Sequence, residues 1–160
     1  MARHRGSPLN IRRATFEDGL DILRWRNDPL TRSMSRDGSV IEEARHVAWF
    51  AQALDDPRRL LLVAEADGEK LGMVRFDEVA GRWEASINLA REARGRGLAR
   101  PILEGGLAVF AASQPSSPVE AEIRPENAAS IRIFEAAGFI RIPADGDLLR
   151  YIWQGPDARR

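Results

Sequence analysis

The chain has 160 residues, 24 basic and 24 acidic side chains, and no cysteine. This length suits a single α/β domain with a well-buried core, and the balanced charge argues against a general nucleic-acid or membrane-surface binder. Without cysteine there can be no disulfide framework, no thiolate metal site and no cysteinyl acyl intermediate, and we expect no metal.

The N-terminus and the hydropathy of the chain predict a cytoplasmic protein. Residues 1–8 are too short and polar for a signal peptide, and we expect them to be flexible. No apolar run approaches the length that spans a membrane. Arginine is used far more than lysine, Lys70 being the sole lysine, which indicates a bacterial source.

The first half of the chain is predicted to contain a strand, two helices and a pair of strands, over residues 9–14, 15–28, 39–54, 60–65 and 71–76. Pro29 ends the first helix, and we expect the polar segment 31–39 to be a surface loop. The dipeptide Asp67-Gly68 between the two strands is a hairpin turn signal.

The second half is predicted to alternate strands and helices, over residues 83–90, 98–112, 119–123, 127–137, 139–142 and 148–153. Gly105-Gly106 falls inside the first of these helices, where we expect it to allow close packing on the sheet. Gly138 is a C-terminal cap for the second helix. With no internal repeat or linker, residues 1–160 form one domain of order β-α-α-β-β-β-α-β-α-β-β.

The turn Arg94-Gly95-Arg96-Gly97-Leu98-Ala99 lies between a predicted strand and a predicted helix. Such a turn leaves backbone N–H groups unpaired at a positive helix end, and its arginines add charge suited to phosphate oxygens. A P-loop is excluded because Lys70 is far away, and a dinucleotide fingerprint lacks its third glycine, which is Arg100. A surface turn that binds nothing is the remaining alternative.

The pattern Arg-x-x-Gly-x-Ala in this turn resembles the acetyl-CoA pyrophosphate loop of the GNAT superfamily of N-acetyltransferases. The segment from Ile123 to Phe139, a strand, an asparagine-led helix and Gly-Phe, resembles the second cofactor motif of that family. The resemblance extends from Asn10 to Gln154. It implies an α/β (α+β) fold with a splayed mixed sheet flanked by helices, acetyl-CoA as co-substrate, and a homodimer as one oligomeric state.

The resemblance also implies roles for individual residues on the cofactor side. The backbone of Ile87, Asn88 and Leu89 would pair with the pantetheine arm, and the Leu89 N–H would polarise the acetyl carbonyl. The pyrophosphate would be held, mostly by main-chain N–H groups, by Arg94, Gly95, Arg96, Gly97, Leu98 and Ala99.

Three residues of the second motif complete the expected cofactor site. Asn127 is predicted to cap its helix and also to reach the pantetheine. Ser130 either supports this cap or faces the cofactor. Phe134 stands where many GNAT enzymes carry a tyrosine that protonates the departing thiol, so a general acid is missing at this position.

Glu84 is the candidate general base. Counting back along the strand from Arg94 places it where many GNAT enzymes keep that base, and period-2 alternation puts it on one face with Ser86 and Asn88. Three polar residues there indicate a wet cleft, the alternative being a solvated strand face. Trp83 is predicted to point to the core.

The acceptor region is predicted from two helical segments. Trp-Arg-Asn-x-Pro at 25–29, followed by His-x-x-Trp-Phe at 46–50, resembles the N-acetyltransferases of pseudaminic acid biosynthesis, which act on the 4-amino group of a UDP-linked amino sugar. The acceptor-binding residues would then be Arg24 or Arg26, with Asn27, His46 and Trp49. The alternative for these residues is solvated charge and helix packing.

Other functions remain open at this point. The acceptor could be a protein N-terminus, as in enzymes that modify ribosomal proteins, or a small molecule such as an aminoglycoside or amino acid. A non-catalytic module that binds acetyl-CoA as a sensor or partner is an alternative of another class.

Overall fold

A computed structural model describes residues 8–156, and the segment 1–8 that we expected to be flexible lies, apart from Pro8, outside them. The strands are β1 Asn10–Arg13, β2 Arg59–Ala66, β3 Glu69–Val79, β4 Arg82–Leu89, β5 Val119–Ile123, β6 Ile140–Ile142 and β7 Leu149–Trp153. The α-helices are α1 Gly19–Asn27, α2 Pro29–Met34, α3 Glu43–Asp55, α4 Ala99–Ser113 and α5 Ala128–Ala136.

The seven strands form one mixed sheet in the order β1-β2-β3-β4-β5-β7-β6. Tight turns join β2 to β3 at Asp67-Gly68 and β3 to β4 at Ala80-Gly81, and all four residues have positive φ angles of 52° to 77°. These angles are typical of the two-residue hairpin turns that match strand twist. The predicted α/β fold with helices flanking a mixed sheet is confirmed.

The sheet divides between β4 and β5. These parallel neighbours pair only at Trp83↔Val119 and Glu84↔Glu120, whereas β4 pairs with β3 along its whole length. Ala90 N–H donates to Leu71 O on the β3 side, and N–H groups alternate sides along a strand. The N–H groups of Ile87 and Leu89 therefore face the gap.

Helix α4 packs closely on one face of the sheet. A Cβ added at Gly105 would lie 2.8 Å from Ile11 Cγ1, and one at Gly106 would lie 2.9 Å from Val74 Cγ1, so the glycine pair does allow the close approach we expected. Trp83 is buried on this face, with its ring centroid 5.3 Å from that of Phe110. The neighbouring Glu84 consequently points to the opposite face, as the alternation predicts.

The segment after Pro29 differs from the prediction. Pro29 begins helix α2 rather than only ending the first helix, so the expected loop 31–39 is partly helical. The Asp28 side chain caps α2 by accepting from Leu30 N–H and Thr31 N–H, and proline fits the first turn because its missing N–H would have no partner there. Helix α3 begins at Glu43, later than the predicted start at Ser39 or Val40.

Candidate active site

A cleft of about 920 Å³ opens where β4 and β5 diverge. One wall is β4 beyond the fork, one end is the glycine turn before α4, and the other wall is the beginning of α5. Most residues predicted for the cofactor and for catalysis line it, namely Glu84, Ile87, Asn88, Leu89, Arg94, Gly95, Gly97, Leu98, Ala99, Asn127, Ser130 and Phe134.

The glycine turn lines one end of the cleft. Gly95 and Gly97 have φ angles of +73° and +70°, and nothing lies within 4 Å of where their side chains would be. The first bond after the turn runs from Ile102 N–H to Leu98 O, and no side chain caps α4 at Leu98. The N–H groups that precede this bond suit an anion, which fits the phosphates of acetyl-CoA.

We expected the charge of the two arginines in the turn to attract phosphate oxygens. In the structure, both arginines pair with acidic side chains. Arg94 Nη2 donates to Asp28 Oδ2 over 2.8 Å and to Thr31 Oγ1 over 3.0 Å, which ties the turn to α2. Arg96 pairs with Glu69 over 3.2 Å and does not line the cleft. Both guanidinium groups already have acidic partners, Asp28 for Arg94 and Glu69 for Arg96.

Helix α5 contributes its first turns to the cleft. Asn127 Oδ1 accepts from Ser130 N–H over 3.2 Å, so the predicted helix cap is present, and both residues line the cleft. Phe134 is buried, with its ring edge-on to Phe139 at 4.9 Å between centroids.

The structure supplies no tyrosine in place of Phe134. The chain's single tyrosine, Tyr151, is buried on β7 and donates its hydroxyl hydrogen to Glu135 Oε1 over 3.0 Å. Burial, together with the hydrogen bond to Glu135, raises the pKa of Tyr151. The residues that line the cleft therefore include no phenol that could protonate a leaving thiolate.

Glu84 lies at the fork itself, as the last β4 residue that pairs with β5. Its carboxylate is partly exposed to the cleft, and its Oε2 lies 3.5 Å from Arg36 Nη2. The same nitrogen of Arg36 lies 2.7 Å from Glu122 Oε2 on β5. Arg36 and Glu122 were not predicted as site residues, because nothing in the local sequence relates a loop at position 36 to strands far along the chain.

The end of the cleft opposite the glycine turn is rich in arginine. Arg26 on α1 and Arg75 on β3 line it, and each has its guanidinium carbon 4.8 Å from the centroid of the Trp49 ring. Arg75 pairs with Asp77 over 2.7 Å, whereas Arg26 has no ion pair among residues 8–156. Burial, with repulsion from Arg75, lowers the pKa of Arg26 to about 10, which still leaves it charged at neutral pH.

The remaining predicted acceptor residues do not line the cleft. Arg24 is exposed and pairs with Asp21 over 3.2 Å. The Asn27 side chain bonds the backbone N–H and C=O of Ile41, which holds the chain before α3 against α1. Trp49 lies behind the arginines as their stacking partner rather than as a wall.

His46 is a correction to the predicted acceptor site. Its imidazole is 1% exposed, its ring stacks on Phe50, and Nε2 lies 2.8 Å from Gly19 O. The carbonyl requires a hydrogen on Nε2, and Nδ1 has no partner, so the arrangement is that of a neutral ring. Burial also lowers the pKa of His46. The residue packs α3 on α1.

Two features are absent from residues 8–156. No group of histidine, cysteine and acidic side chains in that range could hold a metal ion. In the same stretch, none of the helices is both long and apolar enough to cross a membrane.

Comparison with known proteins adds three findings. A family model described as an acetyltransferase (GNAT) domain matches residues 9–140. The L-2,4-diaminobutyric acid acetyltransferase of Streptomyces anulatus is 31% identical over 140 residues, covering 84% of this chain and 73% of that protein.

Among solved structures, the spermidine N-acetyltransferase of Vibrio cholerae, in complex with CoA and spermine, superposes with a TM-score of 0.80. It shares 18% identity over 91% of this chain and 94% of the other. The Salmonella typhimurium protein yncA, solved with its cofactor acetyl-CoA, superposes with a TM-score of 0.73 at 25% identity, covering 95% of this chain and 99% of that one.

Proposed function

Since the chain belongs to the GNAT acetyltransferase family, it is an acetyl-CoA-dependent N-acetyltransferase, and we propose that its acceptor is a primary amine that also carries an acidic group. The best candidate is the 4-amino group of a nucleotide-linked amino sugar. A non-catalytic acetyl-CoA-binding module, considered from the sequence, is not retained, because the matched family and relative are acetyltransferases.

The observation that carries the mechanism is the position of Glu84 at the fork of the sheet. A carboxylate at the start of the cleft can accept the proton that the acceptor ammonium must lose before it attacks. The Leu89 N–H faces the same gap and would donate to the carbonyl oxygen as negative charge develops there. Both groups are thus on one strand, on the wall where the thioester would lie.

The transfer itself balances without a protein acid. Glu84 first takes one proton from the acceptor ammonium and releases it to water. The amine nitrogen then forms a bond to the acetyl carbon while the carbon–sulfur bond breaks, the second proton on nitrogen goes to Glu84, and CoA leaves as its thiolate. A thiol has a reference pKa of about 8.5, so its thiolate is a good enough leaving group to depart without Phe134 being a tyrosine. The thiolate then takes a proton from water.

The charge of Arg26, which Asp77 attracts without forming an ion pair within residues 8–156, supports an acidic acceptor. A half-buried guanidinium without an ion pair gains more from a phosphate or carboxylate than from water alone. The pyrophosphate of a nucleotide sugar and the carboxylate of an amino acid both meet this requirement. A polyamine such as spermidine does not, so the spermidine enzyme, at 18% identity, is a guide to the fold alone.

The test is the release of CoA, detected with a thiol reagent, over a panel of amines. The panel contains a UDP-linked 4-amino sugar, 2,4-diaminobutyrate, the diamine that lacks its carboxylate, an aminoglycoside, an N-terminal peptide and spermidine. We expect the highest kcat/KM for an acceptor with phosphate or carboxylate. If acetyl-CoA binds while no acceptor releases CoA above the hydrolysis background, the proposed reaction is wrong.

A substitution of Arg26 tests the acidic group directly. A charge-assisted hydrogen bond contributes about 1.5–3 kcal/mol, so Arg26→Ala should lower kcat/KM for acidic acceptors by about tenfold or more. The diamine without the carboxylate should lose little, and Arg45→Ala, an exposed arginine on α3, serves as the control. Equal losses for both acceptors would show that Arg26 supports the fold rather than the acidic group.

A further inference from the structure

The chain between α2 and α3 is tied to the end of β5, on the far side of the fork. Arg124, directly after β5, donates from Nε and Nη2 to the carbonyl oxygen of Ser35 over 3.0 Å and 2.8 Å. Its Nη2 also lies 3.4 Å from the carbonyl oxygen of Arg36. The backbone at 35–36 is therefore held by Arg124, independently of what the Arg36 side chain does.

The Arg36 side chain lies between two carboxylates on opposite sides of the fork. Its Nη2 is 2.7 Å from Glu122 on β5 and 3.5 Å from Glu84 on β4. Glu122 is two residues beyond Glu120, the partner of Glu84 in the last pair before the strands diverge. Two carboxylates that approach one position repel each other unless a cation lies between them, and here that cation is a guanidinium.

The same position is the one that an acceptor must reach. A general base accepts a proton from a nitrogen within hydrogen-bond distance or through one water, so the acceptor nitrogen has to lie beside Glu84 or one water away from it. In water, alkylamines arrive as ammonium ions, which present the same charge and the same donors to the carboxylates.

We propose that Arg36 is a specificity-determining residue, whose guanidinium occupies the position of the acceptor ammonium between Glu84 and Glu122 until an acceptor displaces it. The inference rests on the proposed role of Glu84. The Arg36 side chain is 63% exposed, and exposed ion pairs contribute little, so it can turn outward at small cost. Amines that pair with both carboxylates displace it, and weakly cationic amines do not.

The decisive measurement is the affinity for an amine in the presence of CoA, where no acetyl group can be transferred. Titration calorimetry with 2,4-diaminobutyrate should give a Kd for Arg36→Ala about fivefold lower than for the natural protein, because the competing cation is gone. Arg36→Lys keeps a cation and should bind like the natural protein. Arg36→Gln repeats the loss of charge with a longer side chain, should Arg36→Ala fold poorly.

Arg82→Ala is the matched control. Arg82 is 62% exposed and pairs with Glu120 over 3.6 Å, but it lies in the β3–β4 hairpin outside the cleft. Its removal should leave the Kd unchanged. Unchanged or weaker binding by both Arg36→Ala and Arg36→Gln, with the affinity for CoA preserved, overturns the inference.

A second substitution tests where the amine binds. In the Arg36→Ala background, Glu122→Gln should raise the Kd for the amine severalfold, because one of the two carboxylates that receive the ammonium is lost. An unchanged Kd would overturn the role of Glu122. These binding results are separate from CoA release, so a failure of the proposed reaction and a failure of this inference can be told apart.

Discussion

At the scale of single residues, the proposed chemistry depends on one carboxylate and one backbone N–H of the same strand. Glu84 lies at the fork, and the Leu89 N–H faces the gap five residues further along. The tyrosine expected of many related enzymes is replaced by Phe134, a buried residue that packs on Phe139. In the proposed mechanism the protein therefore contributes a base and an oxyanion donor, and the leaving group departs without an acid.

Removing the carboxylate of Glu84 should slow the chemical step. General base catalysis typically contributes about 10²–10⁴-fold, so Glu84→Gln should lower kcat by at least about 100-fold and alter its pH profile, with little change in the KM for acetyl-CoA. The release of CoA as a function of pH provides the measurement. Glu78→Gln, an exposed glutamate at the far end of β3, is the control. A kcat within twofold of the natural value would exclude Glu84 as the base.

At the scale of elements, the structural features on the proposed cofactor side were predictable because their signals are local. The glycine turn, the Asn127 cap and the alternation along β4 each depend on a few neighbouring residues. Helix α2 was missed because it is only six residues long, and Leu30 and Met34 alone are too few to show a hydrophobic period. The helix cap Asp28 forms ion pairs with Arg91 and Arg94, which lie far along the chain. The local sequence around α2 therefore does not show these contacts.

The acceptor side was less predictable for the same reason. Three separate parts of the chain supply Arg36, Arg75 and Glu122. These residues line one cleft because of the strand register and the path of one loop. His46 illustrates the opposite error. His46 belongs to a sequence pattern that resembles a binding motif, yet the packing of α3 on α1 buries its ring. The sequence pattern alone cannot distinguish a buried histidine from one that binds a substrate.

The spacing of β3 and β4 depends on Gly72. A Cβ added there would lie 2.6 Å from the backbone oxygen of Asn88. The part of β4 that lines the cleft would therefore have to shift. We expect Gly72→Ala to raise the KM for acetyl-CoA severalfold and to destabilise the fold by about 1–3 kcal/mol, the usual cost of overpacking.

The control for this change is Gly146→Ala, since nothing lies within 4 Å of the added Cβ there. Steady-state kinetics and urea unfolding measure the two effects. A natural KM for Gly72→Ala, together with lost stability, would show that the position of β4 does not govern cofactor binding.

At the scale of the whole molecule, the sheet consists of two parts. Strands β1 to β4 are antiparallel neighbours, of which β2 to β4 are joined by short turns, and β5 to β7 form a second antiparallel group. Only two residue pairs of β4 and β5 join them, and the cleft occupies the rest of the boundary. A ligand in this cleft contacts both parts, so its binding should be linked to the stability of the whole fold.

We expect CoA to stabilise the protein as one unit. Ligand at one hundred times its Kd stabilises the folded state by about 2.7 kcal/mol, which thermal unfolding detects as a raised Tm. Hydrogen exchange should slow in both β4 and α5. The nucleotide fragment of CoA that lacks the pantetheine arm provides the contrast, because it should protect the α4 turn and leave β4 unchanged. Equal protection of β4 by both ligands would contradict the proposed position of the arm.

The fork has one more consequence, which concerns the protein when no CoA is bound. Beyond Glu84, β4 has no strand neighbour on its β5 side, so a strand in the middle of the sheet carries unpaired backbone groups like those of a sheet edge. Such edges recruit strands from other molecules. Without CoA, the unpaired side of β4 should therefore favour aggregation, because bound CoA would cover it. Light scattering measured during storage with and without CoA tests this expectation.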